Sequence, residues 1–267
     1  MGSAEFFAEA EARRYELEPD IAELVAFERW AGRDVLEAGC GIGTDAVQFV
    51  RAGAEYRGVD FSPKALELAR RRPELAEADL LQASITDLPF ADASFDLVYS
   101  NGVIHHMPET RRAIAEFHRV LRPDGTAIVM VYHRASLNFC VSIMVVRRGL
   151  AALLLVPGAV RLVARLTGEG VDVLRGHREL LVEHGPRYLR DPALFLSHNT
   201  DGPGNPLSKA YTAKGMCRAF ADFSEVDTLV RFLNLRAYPM GERLEQFAVV
   251  RRLGRRLGWH LWVVATK

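Results

Sequence analysis

Short apolar runs alternate with amphipathic stretches between residues 33 and 133. The runs are rich in β-branched residues and the stretches repeat apolar positions at helical spacing, which together predict strands connected by helices. Ser62 and Pro63 would open one of these helices, while Thr44 is a candidate cap for another and Gly53 its end. Strands are expected at RDVLEAG, AEYRGVDFS, ADLLQAS, FDLVYSN and GTAIVMVYH, and helices at TDAVQFVRAG, SPKALELARRR and ETRRAIAEFHRVL. This alternation favours a parallel sheet covered by helices on both faces.

The alternation stops near residue 135 and resumes near residue 209. Segment 135–208 is apolar at first and then rich in Gly and Pro, and we interpret it as an insertion. After it, TAKGMCRAF and ERLEQFAVVRRLGRRLG predict helices, while EVDTLVRFLNL and WHLWVVATK predict strands. The predicted division is therefore an N-terminal segment (1–32), a core (33–134), the insertion (135–208) and a C-terminal part that completes the sheet (209–267).

Composition limits the class of protein without choosing among enzymes. The chain has 267 residues with equal numbers of basic and acidic side chains, 34 of each, so no overall field favours nucleic acid. Cys40, Cys140 and Cys217 match neither a zinc nor an iron–sulfur spacing, so no metal is predicted and reduced thiols are expected. Charged residues interrupt the N-terminal apolar core that a signal peptide needs, and MGSAEF fits the N-myristoylation pattern only at Gly2. A cytoplasmic location is the expectation.

A tight glycine turn follows the first predicted strand. Gly39, Gly41 and Gly43 form G-x-G-x-G, one residue shorter than the NAD fingerprint, in which the third glycine follows the second by three positions. Glu37 puts a carboxylate at the strand end, where it would repel a diphosphate but suit an ammonium group. Asp60 ends the second strand, where a carboxylate can accept hydrogen bonds from both ribose hydroxyls. An adenosine with no phosphate and a cationic amino-acid tail fits both features, and that ligand is S-adenosylmethionine.

Four segments, in this order, resemble the core of class I S-adenosylmethionine-dependent methyltransferases of the small-molecule type. They are LEAGCGIGT, GVDFS, QASITDLPFADASFDLVYSNGVIHH and RVLRPDGTAIVMVYH, and they lie within residues 33–133. The resemblance implies an α/β fold with a doubly wound, Rossmann-like sheet of about seven strands, an antiparallel last strand and a helical insertion. It also implies an N-terminal lid over the cofactor.

The resemblance further implies a set of cofactor-binding residues. The family usually has an acidic residue at the position of Ser84, where a hydroxyl can still hydrogen-bond the adenine amine. The implied set comprises Arg14 and Tyr15 in the lid, Glu37, Gly39, Cys40, Gly41 and Gly43 around the methionine part, Asp60 and Phe61 at the ribose and adenine, Ser84 and Ile85 at the adenine edge, and Asn101 under the tail.

Methyl transfer from a sulfonium is an in-line displacement, so positioning supplies much of the rate, and a hydroxyl or protonated amine acceptor also needs a base. The segment NGVIHHMP follows the fourth predicted strand, where in similar enzymes a histidine can face both cofactor and acceptor. His105 is the first candidate base and His106 the second, since imidazole titrates near neutrality. Further candidates for the pocket are His133, Tyr132, His198 and Tyr211.

The apolar part of the insertion leaves two alternatives open. Its longest stretches without charge, 135–146 and 149–160, are 12 residues each, too short to span a bilayer. The segment either caps the substrate pocket, which we favour, or lies on a membrane surface with its arginines near the headgroups. These arginines are Arg147, Arg148, Arg161 and Arg165. The basic residues Arg251, Arg252, Arg255 and Arg256 are interpreted as a solvated helix face, so no nucleic-acid partner is predicted.

The predicted function is methyl transfer to O, N or C of a small, lipophilic or aromatic organic acceptor. Two alternatives belong to other classes. A nicotinamide oxidoreductase is disfavoured by the short glycine turn and by Glu37. A catalytically silent, cofactor-binding and membrane-peripheral protein gains some support from Ser84 and from the apolar insertion.

Overall fold

The computed structural model describes residues 2–233, 235, 244 and 247–267. Its strands are β1 (Asp34–Ala38), β2 (Glu55–Asp60), β3 (Asp79–Gln82), β4 (Phe95–Asn101), β5 (Leu121–His133), β6 (Ala210–Tyr211), β7 (Glu225–Arg231) and β8 (His260–Thr266). Its α-helices are α1 (Ala4–Leu17), α2 (Asp20–Val25), α3 (Ala46–Arg51), α4 (Pro63–Ala69), α5 (Thr110–Val120), α6 (Arg148–Leu153), α7 (Ala159–Thr167), α8 (Val171–His184), α9 (Pro186–Arg190), α10 (Pro192–Thr200), α11 (Ala213–Ala219) and α12 (Ala248–Leu257).

The strands form one sheet in the order β3-β2-β1-β4-β5-β8-β7. Strands β1 to β5 pair in parallel, whereas β8 lies antiparallel between β5 and β7. The predicted doubly wound sheet with an antiparallel last strand is confirmed. The predicted count of seven strands needs one correction, because the two-residue strand β6 also pairs with β5 and brings the sheet to eight.

Local sequence signals explain several helix ends. Ser62 caps α4 by accepting the amide of Ala65, with Pro63 at the first helical position as expected. Gly53, just beyond α3, has φ +82° and follows the helix end as predicted. The predicted cap at Thr44 is wrong, because α3 begins after Asp45 and has no side-chain cap. The hydroxyl of Thr44 instead lies near a guanidinium nitrogen of Arg72.

Two apolar layers cover the sheet, one on each face. Alternate residues along a strand point to opposite faces, and in β5 Val129 and Val131 join one layer while Ile128 and Met130 join the other. The first layer includes side chains of α5 and α11, and the second includes side chains of α2, α3 and α4. The carboxyl ends of β1, β2, β4 and β5 therefore meet at one edge, where open α/β sheets bind their ligands.

The insertion contributes a π-helical segment (Asn138–Arg147) followed by α6 to α10. Its buried side chains meet the ends of β5 and β8 in a third apolar group, which we call the insertion cluster. Members include Tyr132, Ile143, Leu154, Val163, Leu174, Leu181, Tyr188, Phe195 and Trp259. Among the described residues, no helix is both long and apolar enough to cross a membrane.

The C-terminal predictions can be compared only in part. Strand β7 ends at Arg231, earlier than the predicted segment at 225–235. The predicted helix at 242–258 is described from Ala248 onward as α12, and most of its first part lies outside the described residues.

Candidate active site

The glycine turn after β1 has three glycines in left-handed conformations, with φ of +89° at Gly39, +54° at Gly41 and +76° at Gly43. A Cβ at Gly39 would lie 2.4 Å from Val103, and one at Gly43 would lie 2.4 Å from Leu75, so packing requires both glycines. A Cβ at Gly41 would meet nothing within 4 Å. Gly41 thus leaves open space beside the backbone, as a turn that receives a ligand must.

Asp60 joins the end of β2 to this turn. Its Oδ2 accepts the amide of Gly41 at 2.8 Å and its Oδ1 accepts the amide of Ser62 at 2.8 Å. A carboxylate has about four lone-pair sites, so each oxygen keeps capacity for a further donor such as a ribose hydroxyl. Two backbone amides therefore fix the orientation of the predicted ribose acceptor.

Asp45, just after the glycine turn, accepts hydrogen bonds from two distant parts of the chain, α1 and β4. Arg14 of α1 donates from Nε at 2.8 Å and from a terminal nitrogen at 2.7 Å, a bidentate ion pair. The hydroxyls of Tyr15 and Tyr99 donate at 2.9 and 2.8 Å, and the amide of Asn101 lies 3.4 Å away. This network brings the predicted cofactor residues Arg14, Tyr15 and Asn101 together beside the turn.

Glu37 adds a second buried carboxylate next to the Asp45 network. The hydroxyl of Tyr56 donates to its Oε2 at 2.7 Å. Burial and the neighbouring Asp45 raise the pKa of Glu37 well above its usual value. Burial alone would also raise the pKa of Asp45, but Arg14 and the hydrogen-bond donors outweigh it and hold that pKa below its usual value. Asp45 is thus paired with Arg14, whereas Glu37 has no ion-pair partner among the described residues and could receive one more positive charge.

The predicted adenine side is formed by residues that follow β2 and β3. Phe61 is 78% exposed, an unusual position for a phenylalanine next to a buried strand. The hydroxyl of Ser84 lies 2.8 Å from that of Thr86, and Ile85 is buried in the apolar layer. Ser84 is therefore held by a neighbouring hydroxyl, and Phe61 offers a free aromatic face.

His105 lies in a short 3-10 helix (Ile104–His106) just beyond β4 and is fully buried. Its ring centroid lies 3.9 Å from that of Tyr132, and among the described residues neither ring nitrogen makes a hydrogen bond of good geometry. Burial, then His106 and His260, lower the pKa of His105 well below its usual value, and the Met130 carbonyl opposes them only in part. A buried, neutral imidazole without a well-formed hydrogen bond is costly and calls for a functional account.

His106 differs from His105 because each of its ring nitrogens lies near a polar group. Its Nδ1 donates to the carbonyl of Leu207 at 2.9 Å, which fixes that nitrogen as the protonated one. Its Nε2 lies 3.5 Å from a carboxylate oxygen of Asp201. The hydroxyl of Tyr132 also donates to Asp201, at 3.2 Å from each oxygen. The end of the insertion therefore supplies a carboxylate directly to the predicted catalytic edge.

The remaining candidates have other contacts. His133 is buried, its Nδ1 donates to the carbonyl of Gly258 at 3.0 Å, and burial lowers its pKa. The Nδ1 of His198 lies 2.7 Å from the carbonyl oxygen of Pro203, and the hydroxyl of Tyr211 lies 2.8 Å from that of Thr110. His133 therefore points toward the start of β8. His105 and His106 instead contact Tyr132.

Sequence reasoning missed four residues of this site: Asp45, Tyr56, Tyr99 and Asp201. Asp45 could have been found, because it follows Gly43 by two positions in the segment that carries the glycine turn. Asp201 carries no comparable signal, since its partners His106 and Tyr132 are distant in sequence.

Residues 36–129 match the family model of a methyltransferase domain. A phthiotriol/phenolphthiotriol dimycocerosates methyltransferase of Mycobacterium tuberculosis is 36% identical over 116 residues, covering 40% of this chain and 43% of that protein. A demethylmenaquinone methyltransferase of Renibacterium salmoninarum is 32% identical over 130 residues, covering 44% of this chain and 54% of that protein. This chain thus spans about half the length of these relatives.

The fold likeness extends further than the sequence likeness. A solved S-adenosylmethionine-dependent methyltransferase of Methanosarcina mazei has a TM-score of 0.56 at 18% identity, with 91% of this chain and 97% of that chain covered. Residues 36–129 thus match a methyltransferase domain, and the fold is that of the solved S-adenosylmethionine-dependent methyltransferase, which confirms the resemblance seen in the sequence. The cofactor that this family implies is S-adenosylmethionine, as predicted.

Proposed function

We propose that the protein transfers a methyl group from S-adenosylmethionine to O, N or C of a small, lipophilic or aromatic acceptor. The observation that carries this proposal is the open turn at Gly41 tied to Asp60, within a domain that matches methyltransferases. The names of the two relatives point to the lipophilic compounds phthiotriol and demethylmenaquinone as acceptors of those enzymes. These comparisons favour the methyltransferase over the nicotinamide oxidoreductase.

The residues of the cofactor side fit the ligand in charge and shape. When bound, S-adenosylmethionine supplies an electrophilic methyl group on a sulfonium. Asp60 would accept hydrogen bonds from the ribose, and Phe61 would cover one face of the adenine. The ammonium group of the methionine part would pair with Glu37, whose charged form it would favour beside the Asp45–Arg14 ion pair. A diphosphate at this place would add negative charge to an already acidic site.

The proposed acceptor side is the aromatic group at the ends of β4 and β5. Tyr132 stacks on Trp259 with ring centroids 4.3 Å apart, and His105 and His106 contact the same tyrosine. Stacked rings with a few polar atoms suit a flat or lipophilic molecule better than a highly charged one. The insertion closes this group through Asp201, in keeping with its predicted role as a cap.

The two adjacent histidines differ in their capacity to take a proton. His105 is buried without a neighbouring anion, so a positive charge there would be poorly stabilised. We infer that its neutral ring positions the acceptor by hydrogen bonding. His106 has the Asp201 carboxylate beside its Nε2, which would stabilise the imidazolium formed when a proton leaves the acceptor. This inference places His106 ahead of His105 as the base, reversing the order that the sequence favoured.

Calorimetric titration of the purified chain with S-adenosylhomocysteine and with NADH tests the proposal at its cofactor. Binding of the first ligand and not of the second is expected. Consumption of S-adenosylmethionine is then measured with panels of phenols, quinols and amines, since these present the three classes of acceptor atom. Absence of S-adenosylhomocysteine binding would refute the proposal, whereas binding without methyl-donor consumption on any panel would favour the catalytically silent alternative.

A further inference from the structure

The outward side of the insertion is apolar at one place, which we call the α6–α7 tip (residues 153–166). Five of its large apolar side chains are exposed, with exposed fractions between 51% and 72%: Leu153, Leu155, Val156, Leu162 and Leu166. Exposed apolar side chains are ordinary when scattered, but clustering over two consecutive helix segments marks an interaction surface.

The inward side of the same segment packs against the rest of the insertion. Leu154 and Val163 are buried in the insertion cluster, and Ala159 is also buried. On α7 the buried residues Ala159 and Val163 are four positions apart, and so are the exposed Leu162 and Leu166, so each pair occupies its own side of the helix. The exposed row is thus presented outward by a helix whose other side is already packed.

The charged side chains of the tip and of the sequence before it are all positive. Between Asp124 and Glu169 the sequence contains no Asp or Glu, although the chain as a whole has no net charge. This stretch contains five arginines, namely Arg134, Arg147, Arg148, Arg161 and Arg165. A cationic and apolar surface on a protein of zero net charge is therefore a local feature of the insertion.

Not all of these arginines are available to a partner. Arg147 pairs with Glu169 at 3.3 Å, and Arg148 lies over the ring of Phe195, 5.2 Å from its centroid. Arg161 and Arg165 are exposed on α7, one helical turn apart, and neither has an ion-pair partner among the described residues. They form a cationic row beside the exposed row of Leu162 and Leu166.

We propose that the α6–α7 tip docks on the surface of an anionic lipid bilayer. The apolar side chains would enter the interface while Arg161 and Arg165 meet the acidic headgroups, the arrangement by which amphipathic segments lie on membranes. Charge complementarity selects this occupant, because the tip offers cations and no acid that a basic partner could use. The buried side of the insertion remains free to cap the acceptor pocket, so the cap and the membrane surface involve opposite sides of one segment.

Co-sedimentation of the full chain with vesicles tests the proposal. Binding is expected to vesicles that contain phosphatidylglycerol and to be much weaker with phosphatidylcholine alone. The double variant Leu162→Gln/Leu166→Gln should weaken binding about 100-fold, given the apolar area that two leucines bury. The double variant Arg161→Gln/Arg165→Gln should weaken it about 30-fold on anionic vesicles, since each arginine near such a surface contributes a factor of about five.

A matched control lies on α8, where Val182 is 67% exposed but stands between Glu179 and Glu183 in sequence. The variant Val182→Gln should bind vesicles as the wild type does. In every variant, an unchanged affinity for S-adenosylhomocysteine would show that the fold is intact. Equal binding to both vesicle types, or no binding to either, overturns the proposal. If the wild-type chain forms a dimer and the leucine variant does not, the tip is a contact between two copies of the chain, and the proposal is also overturned. Vesicle binding needs no methyl transfer, so its failure and that of the proposed function are separate results.

Discussion

The cofactor side and the acceptor side of the candidate site are held in place by different kinds of contact. On the cofactor side, Asp60 is fixed by two backbone amides and the turn is fixed by glycines whose conformations other residues rarely adopt. On the acceptor side, Tyr132 is fixed by the side chain of Asp201 and His106 by the carbonyl of Leu207, and both partners lie at the end of the helical insertion. The first side is therefore tied to the sheet, and the second depends on how the insertion packs.

This difference separates the binding of the cofactor from the selection of the acceptor. A cofactor shared by many enzymes can be held by backbone groups at strand ends, because its shape does not change from one enzyme to another. The acceptor differs between enzymes, so it is recognised by parts added to the fold. Variants on the two sides should accordingly change different measured quantities.

The largest effect is expected on the cofactor side. Asp60→Ala removes an acceptor of two ribose hydrogen bonds, and S-adenosylhomocysteine should bind about 300-fold more weakly, since hydrogen bonds to a charged group contribute about 1.5–3 kcal/mol each. Calorimetric titration measures the change. Asp79→Ala, a carboxylate at the opposite end of the neighbouring strand β3, should leave the affinity unaltered. Equal effects of the two substitutions would remove Asp60 from the site.

Substitutions on the acceptor side should lower kcat without changing the affinity for S-adenosylhomocysteine. His106→Gln is expected to lower kcat about 100-fold, the usual contribution of a general base, while the affinity for S-adenosylhomocysteine stays the same. Asp201→Asn should lower kcat less, because the imidazole remains but loses the carboxylate that stabilises its charge. If His105→Gln lowered kcat more than His106→Gln and shifted the pH profile, the base would be His105.

A smaller effect is expected where α1 meets the glycine turn. Arg14→Gln should lower the free energy of unfolding by about 2 kcal/mol, because it leaves the buried Asp45 without its cation. The pKa of Asp45 lies below its usual value in the folded protein, so this contribution is present above about pH 4 and is lost as the pH falls through that lowered pKa. Urea unfolding of both proteins at several pH values measures it. Arg13→Gln, an exposed neighbour on α1, should change little, and a constant difference at low pH would contradict the pairing.

The smallest effect concerns proton release. Burial and the neighbouring Asp45 raise the pKa of Glu37, and an ammonium group nearby would favour its charged form. S-adenosylhomocysteine should therefore bind more tightly as the pH rises toward that pKa, by less than tenfold per pH unit, with release of a fraction of a proton. Calorimetry in buffers of different ionisation enthalpy measures the release. Glu37→Gln should abolish it, and a release that persists in this variant would place the titrating group elsewhere.

The sequence by itself determined the features that depend on neighbouring residues. The strand order along the chain, the glycine turn and the position of Asp60 at a strand end follow from periodicity and from backbone conformations that only a few residue types adopt. The extra strand β6 escaped prediction, because a two-residue strand shows no periodicity. Thr44 was predicted as a cap because its residue type suits one, yet the helix begins one residue later.

Only the tertiary structure decided which distant side chains meet. Arg14 reaches Asp45 across 31 residues, and Asp201 reaches His106 and Tyr132 from the far end of the insertion. It also decided which side of each insertion helix is buried, because an apolar segment without acids can face a pocket or a bilayer equally well. Local sequence fixes backbone shape over a few residues, whereas contacts between segments depend on the packing of the whole chain.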